Sequence, residues 1–480
     1  MDFKEKTVSG LSWAFASRIA RQGVSFAITV ILARLLTPKD FGLMGMAFVF
    51  IGFTTAFSDM GISAALIHKQ YTDERHLSSA FWLNIAAGII LTIGLIIFSG
   101  AIAGFYRQPE LKKLLVILSC NYLLASFTIV QQAILTKEMN FKALAVRDMA
   151  AVIAAGATGI YLAFRGFGVE SLVYQLLVSS LVNGVSLWVL SKWRPKFLFS
   201  PKAIKDIFCF SVSTAGFQLV NYIARNMDFF LIGKFLGAEP LGYYSLAYRL
   251  MLAPLRNVSY VINKVLFPAF SKIQQDLIKV RSVYLRMVKA VSFISIPMMC
   301  ILFALAPEFI NIFYGVKWSP AVGLVRVFCF CGLVQSITAF NATVYISQGR
   351  PDIQLKMSLV STTALAIVIM LGLKKGIFGV ALYYTVFHLI WANFSLYILN
   401  RLIKLKLSRV YSNIAGILFS GLLTMIIILS GKPLFFYRGI GGLLILLFLS
   451  GGVYFSLLFF TRQIKLVKNK LFFNWSSHVY

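Results

Sequence analysis

Fourteen runs of roughly twenty or more apolar residues, separated only by short polar connections, dominate this sequence. They fall near 10–36, 41–67, 77–104, 113–135, 147–165, 170–191, 207–236, 241–268, 285–313, 319–347, 353–373, 377–400, 411–430 and 437–461. A helix needs about 20 apolar residues to cross the hydrocarbon core of a bilayer. Lipid offers no partner for a bare backbone amide, so only helices or closed barrels can span it. The runs therefore predict an all-α polytopic membrane protein with about 14 spans. Charged residues make up 13% of the chain, against about 25% in soluble proteins, and no gap is long enough for a soluble domain.

The formal charge of +30 would suggest nucleic-acid binding in a soluble chain. Here its distribution is that of a membrane protein. With both termini on one side, that side's loops and ends carry 28 Lys and Arg, the opposite loops 12, and six arginines lie inside spans. The positive-inside rule then predicts both termini in the cytoplasm, and no nucleic acid as partner. Arg18 and Arg21 interrupt the first apolar run, so a cleaved signal peptide is not expected. The cysteines, Cys120, Cys209, Cys300, Cys329 and Cys331, read as buried free thiols.

The pattern repeats. At an offset of 200, Leu36 meets Leu236, Gly42 meets Gly242, Ala47 meets Ala247, and Arg34 meets Lys234, with the short turn and the glycine opening the next helix coinciding. Six spans per repeat put both halves in the same orientation, related by an axis along the membrane normal. The expected organisation is an N-lobe at 1–200 (spans 1–6), a C-lobe at 201–405 (spans 7–12), and a 406–480 appendage of spans 13 and 14 with a cytoplasmic tail.

No nucleotide, metal or nucleophile motif is present, and the four histidines are scattered. Neither catalytic residues, metal ligands nor cofactors are expected. The informative residues are charges inside spans, each costing at least ~2.5 kcal/mol at a helix centre unless paired or hydrated. Arg18 and Arg21 share a face of span 1, with no acid on that span. Arg225 and Asp228 lie three apart on span 7, and Arg249 and Arg256 seven apart on span 8. Arg326 sits nearer the outer end of span 10. Two acids, Asp59 and Asp228, stand against these six arginines. The structural alternatives are an Arg225–Asp228 pair, a snorkelling Arg326, and a helix-end role for Asp59. An arginine pair at mid-depth suggests a hydrated cavity for an anion, since the guanidinium fork grips phosphate bidentately. Pro254 and Pro297 are fixed kinks or hinges. His388, alone in span 12, is a hydrogen-bonded interior residue or a proton relay. Trp82, Trp188, Trp193 and Trp318 lie near span ends, as interface anchors do.

Several stretches resemble bacterial polysaccharide-export flippases of the multidrug/oligosaccharidyl-lipid/polysaccharide exporter superfamily. They are Thr7-Val-Ser-Gly-Leu-Ser-Trp, Arg34-Leu-Leu-Thr-Pro-Lys-Asp-Phe-Gly, Phe57-Ser-Asp-Met-Gly-Ile-Ser-Ala-Ala-Leu-Ile, Leu241-Gly-Tyr-Tyr-Ser-Leu-Ala-Tyr-Arg-Leu-Met and Val265-Leu-Phe-Pro-Ala-Phe-Ser-Lys-Ile-Gln. The likeness is strongest over residues 7–275 and closest to the colanic-acid and teichuronic-acid type. It implies a V-shaped pair of six-helix lobes moving undecaprenyl-pyrophosphate-linked oligosaccharide between leaflets, for lipopolysaccharide, capsule or exopolysaccharide assembly. It also implies Arg18, Arg21, Arg225, Arg249 and Arg256 as substrate-binding candidates. Asp59, Asp228 and Glu308 become candidates for coupling H+ or Na+, and membrane lipid and a polysaccharide polymerase become candidate partners. The rival readings are a drug or cation antiporter of the same superfamily, which should carry acids rather than arginines, and a membrane-embedded polysaccharide polymerase, which should show a larger outer loop or clustered catalytic residues.

Overall fold

The computed structural model describes residues 3–59, 66, 73–138, 141–201, 204, 222–223, 225–435, 439–461, 464–467 and 470–473. Side chains at 3–17, 53–59, 141, 255–269, 271–272, 433–435, 439–440, 443–444 and in the two strands fall outside that description. The chain divides into two compact units, Met1–Gly242 and Tyr243–Tyr480.

The first unit holds α1 (Phe3–Leu35), α2 (Pro38–Asp59), α3 (Glu74–Tyr106), α4 (Glu110–Ser126), α5 (Ile129–Lys137), α6 (Phe141–Phe164) and α7 (Glu170–Leu190), and residues 225–236 are helical. The next helix, α8 (Ala238–Lys272), begins there and runs into the second unit. That unit continues with α9 (Leu277–Ala304), α10 (Ala321–Thr338), α11 (Asn341–Ser347), α12 (Pro351–Leu373), α13 (Gly376–Ile403), α14 (Leu407–Phe435) and α15 (Gly439–Phe460). Each of the fourteen apolar runs thus coincides with a helix or a broken helix, span 7 through its second half. Among the described residues eight helices are long and apolar enough to cross a membrane, nine if the bent pair α4–α5 is one span. The remaining runs carry more charge or fewer described residues.

Local chemistry sets the ends. Thr37 and Asp40 cap α2 reciprocally: Asp40 Oδ2 accepts from Thr37 N at 2.8 Å, and Thr37 Oγ1 from Asp40 N at 3.3 Å. Pro38 follows in the first helical position, where its missing N–H costs nothing. Asp73 caps α3 and Asp276 caps α9, accepting from His76 N at 3.0 Å and Lys279 N at 3.1 Å. The cap bond from His76 N holds the Asp73 carboxyl below the usual range, and the Lys279 side chain, with the cap bond beside it, does the same for Asp276. Span 3 and span 9 therefore start alike in the two units.

The packing repeats as well. In the first unit α3 packs on α4, α4 on α7, and α6 on α7; in the second, α9 packs on α10, α10 on α13, and α12 on α13. Span 4 breaks between α4 and α5, with a bend of 42°, and span 10 breaks between α10 and α11. Apolar contact alone drives little association in lipid, so small residues and hydrogen bonds join the helices. Thr92 Oγ1 donates to Ser119 O at 3.1 Å. Ser180 Oγ donates to Asn121 Oδ1 at 2.5 Å. In the second unit Tyr284, Asn341, Tyr345 and Ser395 form a buried network, with Tyr284 Oη donating to Asn341 Oδ1 at 2.8 Å and Asn341 Nδ2 to Ser395 Oγ at 2.8 Å.

A close backbone approach lies within the first unit, between the starts of α2 and α8. A Cβ on Gly42 would fall 1.7 Å from Ala238 O, and one on Gly242 would fall 1.9 Å from Pro38 O. Pro38 and Ala238 are themselves 200 residues apart, so the contact is reciprocal at the same offset that relates the sequence repeats.

In the tail, Ile464–Val467 and Lys470–Phe473 pair as an antiparallel hairpin, β1 and β2, with Val467 opposite Lys470. The expectation of buried thiols is revised at one position. Cys120 is exposed, on the face of α4 turned away from its neighbours, while Cys300, Cys329 and Cys331 are buried free thiols; Cys209 lies outside the described residues. Glu308 is held, its Oε2 being 2.8 Å from Lys432 Nζ, with the two side chains 13% and 17% exposed. That pair ties the turn Ala306–Phe309 to the last turn of α14. Lys432→Met is expected to lower stability by about 1–3 kcal/mol, between the exposed and buried limits for a broken ion pair. Adding Glu308→Gln should recover part of that loss, as thermal melts of the purified protein in nanodiscs will measure.

Candidate functional site

Among the described residues of the first unit, a cluster of opposed charges joining three spans is built around Asp148. Helix α1 packs along α6, closely enough that a Cβ on Gly156 would meet Ile28 Cδ1 at 2.1 Å. Two turns back on both helices, Arg21 Nη1 donates to Asp148 Oδ2 at 2.5 Å. The other carboxylate oxygen, Asp148 Oδ1, accepts from Arg147 Nη2 at 2.6 Å and Nε at 3.1 Å. Arg147 Nη1 reaches Gln132 Oε1 on α5 at 3.5 Å. Two guanidiniums on one carboxylate leave the cluster with a net positive charge. Arg147 is 10% exposed, whereas Arg21 is 40% exposed, so its fork has room for a second acceptor. Arg18 lies one turn away on α1 and is half-buried. Arg21 sits about 21 Å along the axis from the Leu35 end of α1, at 1.5 Å per residue.

Sequence reasoning found Arg18 and Arg21 but missed their acid. A span 5 that begins at residue 147 puts Arg147 and Asp148 at its very edge. Helix α6 starts at Phe141, putting both almost two turns inside it, and the inventory of acids among the spans gains Asp148. The adjacent Arg147-Asp148 pair was the available signal.

The other candidates fall as follows. Asp228 is buried, 3% exposed, and its Oδ1 accepts from Phe229 N at 2.9 Å; Arg225 is exposed. Their helical stretch packs on α2 and α3, with Tyr222 Oη donating to Phe48 O at 2.8 Å and Lys234 Nζ donating to Phe105 O. Arg249 is exposed on α8 in the second unit. The side chains of Asp59 and Arg256 lie outside the described residues. Arg326 lies with its guanidinium 5.7 Å from the centroid of Phe303, a cation–π contact. Lys289, missed by sequence reasoning because it lies near the start of span 9, is 3% exposed on α9. Among the described residues no group of three or more His, Cys, Asp or Glu could hold a metal ion.

Comparison with known proteins agrees with the resemblance read from the motifs. The family model described as "Polysaccharide biosynthesis protein" matches residues 31–323. The chain is 30% identical over 355 residues to the teichuronic acid biosynthesis protein TuaB of Bacillus subtilis, covering 73% of each chain. It is 26% identical over 385 residues to the lipopolysaccharide biosynthesis protein WzxC of Escherichia coli, covering 80% of this chain and 78% of that one. In fold it is similar to the lipid II flippase MurJ in an inward closed conformation, with a TM-score of 0.74 at 18% identity over 93% of this chain and 98% of that one.

Proposed function

This chain belongs to the polysaccharide biosynthesis protein family, and from that premise we propose that it is a flippase for polyprenyl-pyrophosphate-linked oligosaccharide. The substrate is an undecaprenyl-linked repeat unit, carried by alternating access across the cytoplasmic membrane for surface polysaccharide assembly. The observation that carries the reading is the Arg21–Asp148–Arg147 cluster: a net positive, partly open group of guanidiniums deep along apolar helices. A pyrophosphate needs charge-assisted donors where water is scarce, and the planar fork meets two of its oxygens at once. The acid within the cluster orients Arg21 without cancelling it. A drug or cation antiporter would want the reverse balance of charge. The fold similarity to a lipid II flippase fits the same class of cargo.

In this reading Arg18 and Arg21 hold the pyrophosphate, and Arg225, Arg249 and Arg256 are further contacts for phosphate or sugar. Asp228 and Asp59 couple an ion, H+ or Na+, and a polysaccharide polymerase receives the product. The lobes, 1–200 and 201–405, are repeats related by an axis along the membrane normal and rock around the substrate, with 406–480 as an appendage. The repeated caps, breaks and packing pairs support that relation. The test is depletion of the protein in its own bacterium: surface polysaccharide should fall while lipid-linked precursor accumulates in the inner leaflet. Unchanged precursor on depletion would reject the reading.

Topology is checked separately. With both termini cytoplasmic, single cysteines placed near Lys6, Trp193 and Lys468 should resist a membrane-impermeant thiol reagent in intact cells. Labelling at Lys6 or Lys468 would overturn the orientation.

A further inference from the structure

The second unit, residues 243–480, contains three acidic residues in its whole length: Asp276, Glu308 and Asp352. Each carboxylate is engaged by a cation, Asp276 with Lys279 at 2.9 Å, Glu308 with Lys432 at 2.8 Å and Asp352 with Arg350 at 2.9 Å. Ion pairs hold carboxylates in their charged form. In this unit every Asp and Glu side chain already has a cation beside it.

The unit also has an imidazole. His388 stands near the middle of α13, about 18 Å along the axis from the Gly376 end and about 22 Å from the Ile403 end. Its Nε2 is buried and makes no hydrogen bond, so the hydrogen-bonded interior role that a lone histidine usually fills is not met at this nitrogen. The ring lies 4.4 Å from that of Tyr384 and 5.6 Å from that of Phe387. Tyr384 belongs to a cage with Tyr248 and Phe328, and its hydroxyl is 3.4 Å from that of Tyr248.

Helix α13 packs chiefly on α10 and α12, with smaller contacts to α11, α9 and α14. The titratable and charged residues of those helices are Arg326, Cys329 and Cys331 on α10, Asp352 and Lys356 at the start of α12, Tyr345 on α11, Arg409, Tyr411 and Lys432 on α14, and Lys279, Arg281, Tyr284, Arg286, Lys289 and Cys300 on α9. On α8, Arg249 follows Tyr248. Apart from the paired Asp352, none of these is an acid.

Dry aromatic walls disfavour an imidazolium, while a bare buried acceptor is itself costly. Both penalties fall when water reaches Nε2. We propose that His388 is the proton-binding site of the second unit, neutral while its aromatic cage shuts Nε2 away from water and protonated when the cage admits water. The proton comes from water on the side to which the cage opens, adds to the Nε2 lone pair, and leaves as the cage closes, so proton uptake is tied to a change of state. In a transporter this is a coupling device, and to that extent it rests on the flippase reading.

The first test needs no substrate. Full-length protein in nanodiscs, carrying [ε1-13C]histidine, is titrated from about pH 5 to 9, and His388→Gln identifies the His388 signal among four histidines. A single transition in that range is expected; a flat signal overturns the proposal. The second test is export in a deletion strain. Wild-type export should fall about tenfold for each pH unit above the transition, whereas His388→Gln should be insensitive to pH. His388→Phe, which refills the cage, should behave alike should the glutamine variant fail to reach the membrane. Variants that keep the wild-type pH dependence also overturn it. Should the His388 signal titrate while the wild-type chain exports nothing, the proton site stands and the flippase reading falls.

Discussion

Replacing Gly42 by alanine is expected to abolish normal function and to lower stability by about 1–3 kcal/mol, the range for forcing an extra methyl into a packed contact. The new carbon would lie 1.7 Å from Ala238 O and 2.5 Å from its carbonyl carbon. Those are backbone atoms, which cannot swing aside as the end of a side chain can. The starts of α2 and α8 must separate. Gly242→Ala should do the same, because its Cβ meets Pro38 O at 1.9 Å. Since one separation relieves both clashes, the double variant should be hardly worse than either single one, a clear departure from additivity. Thermal melts and export measured on all three variants decide this. Equal and additive losses would mean that the two glycines act independently.

Replacing Arg18 and Arg21 together by alanine should bring export close to zero. Each charge-assisted guanidinium–phosphate bond contributes about 1.5–3 kcal/mol, so one lost contact costs roughly 10- to 150-fold. Lysine at both positions should restore only part, because a point charge lacks the bidentate fork. Asp148→Asn separates binding from architecture. If Arg21 serves only to pair with Asp148 across α1 and α6, the asparagine variant should lose as much export as Arg21→Ala. If Arg21 binds phosphate, the asparagine variant should retain measurable export and Arg21→Ala should not. Surface polysaccharide and inner-leaflet precursor, compared at matched membrane levels, give the readout. Wild-type export by a well-expressed double alanine variant would remove these arginines from the site.

How much of this was legible depended on how far each signal is local. The spans were, because a bilayer imposes a length on every apolar run, and each run meets a helix or a broken one. Asp148 was not, because its meaning comes from Arg21, 127 residues away, and from a helix start that polar residues around Phe141 conceal. The breaks after Ser126 and Thr338 were invisible because neither contains proline or glycine; tertiary packing bends those spans. The Gly42 and Gly242 match was visible as an identity. That each glycine seats the other helix's backbone was not.

The crossing of α2 and α8 has the logic of a handshake between two copies of one hand. Each partner offers the same missing side chain and grasps the same stretch of main chain, as in a self-complementary dimer contact enclosed within one polypeptide. Main chain is common to all sequences, so this grip does not depend on the identity of the residues it touches. The two helices can diverge almost everywhere else and still keep this contact. Among 480 positions it asks only that two remain empty.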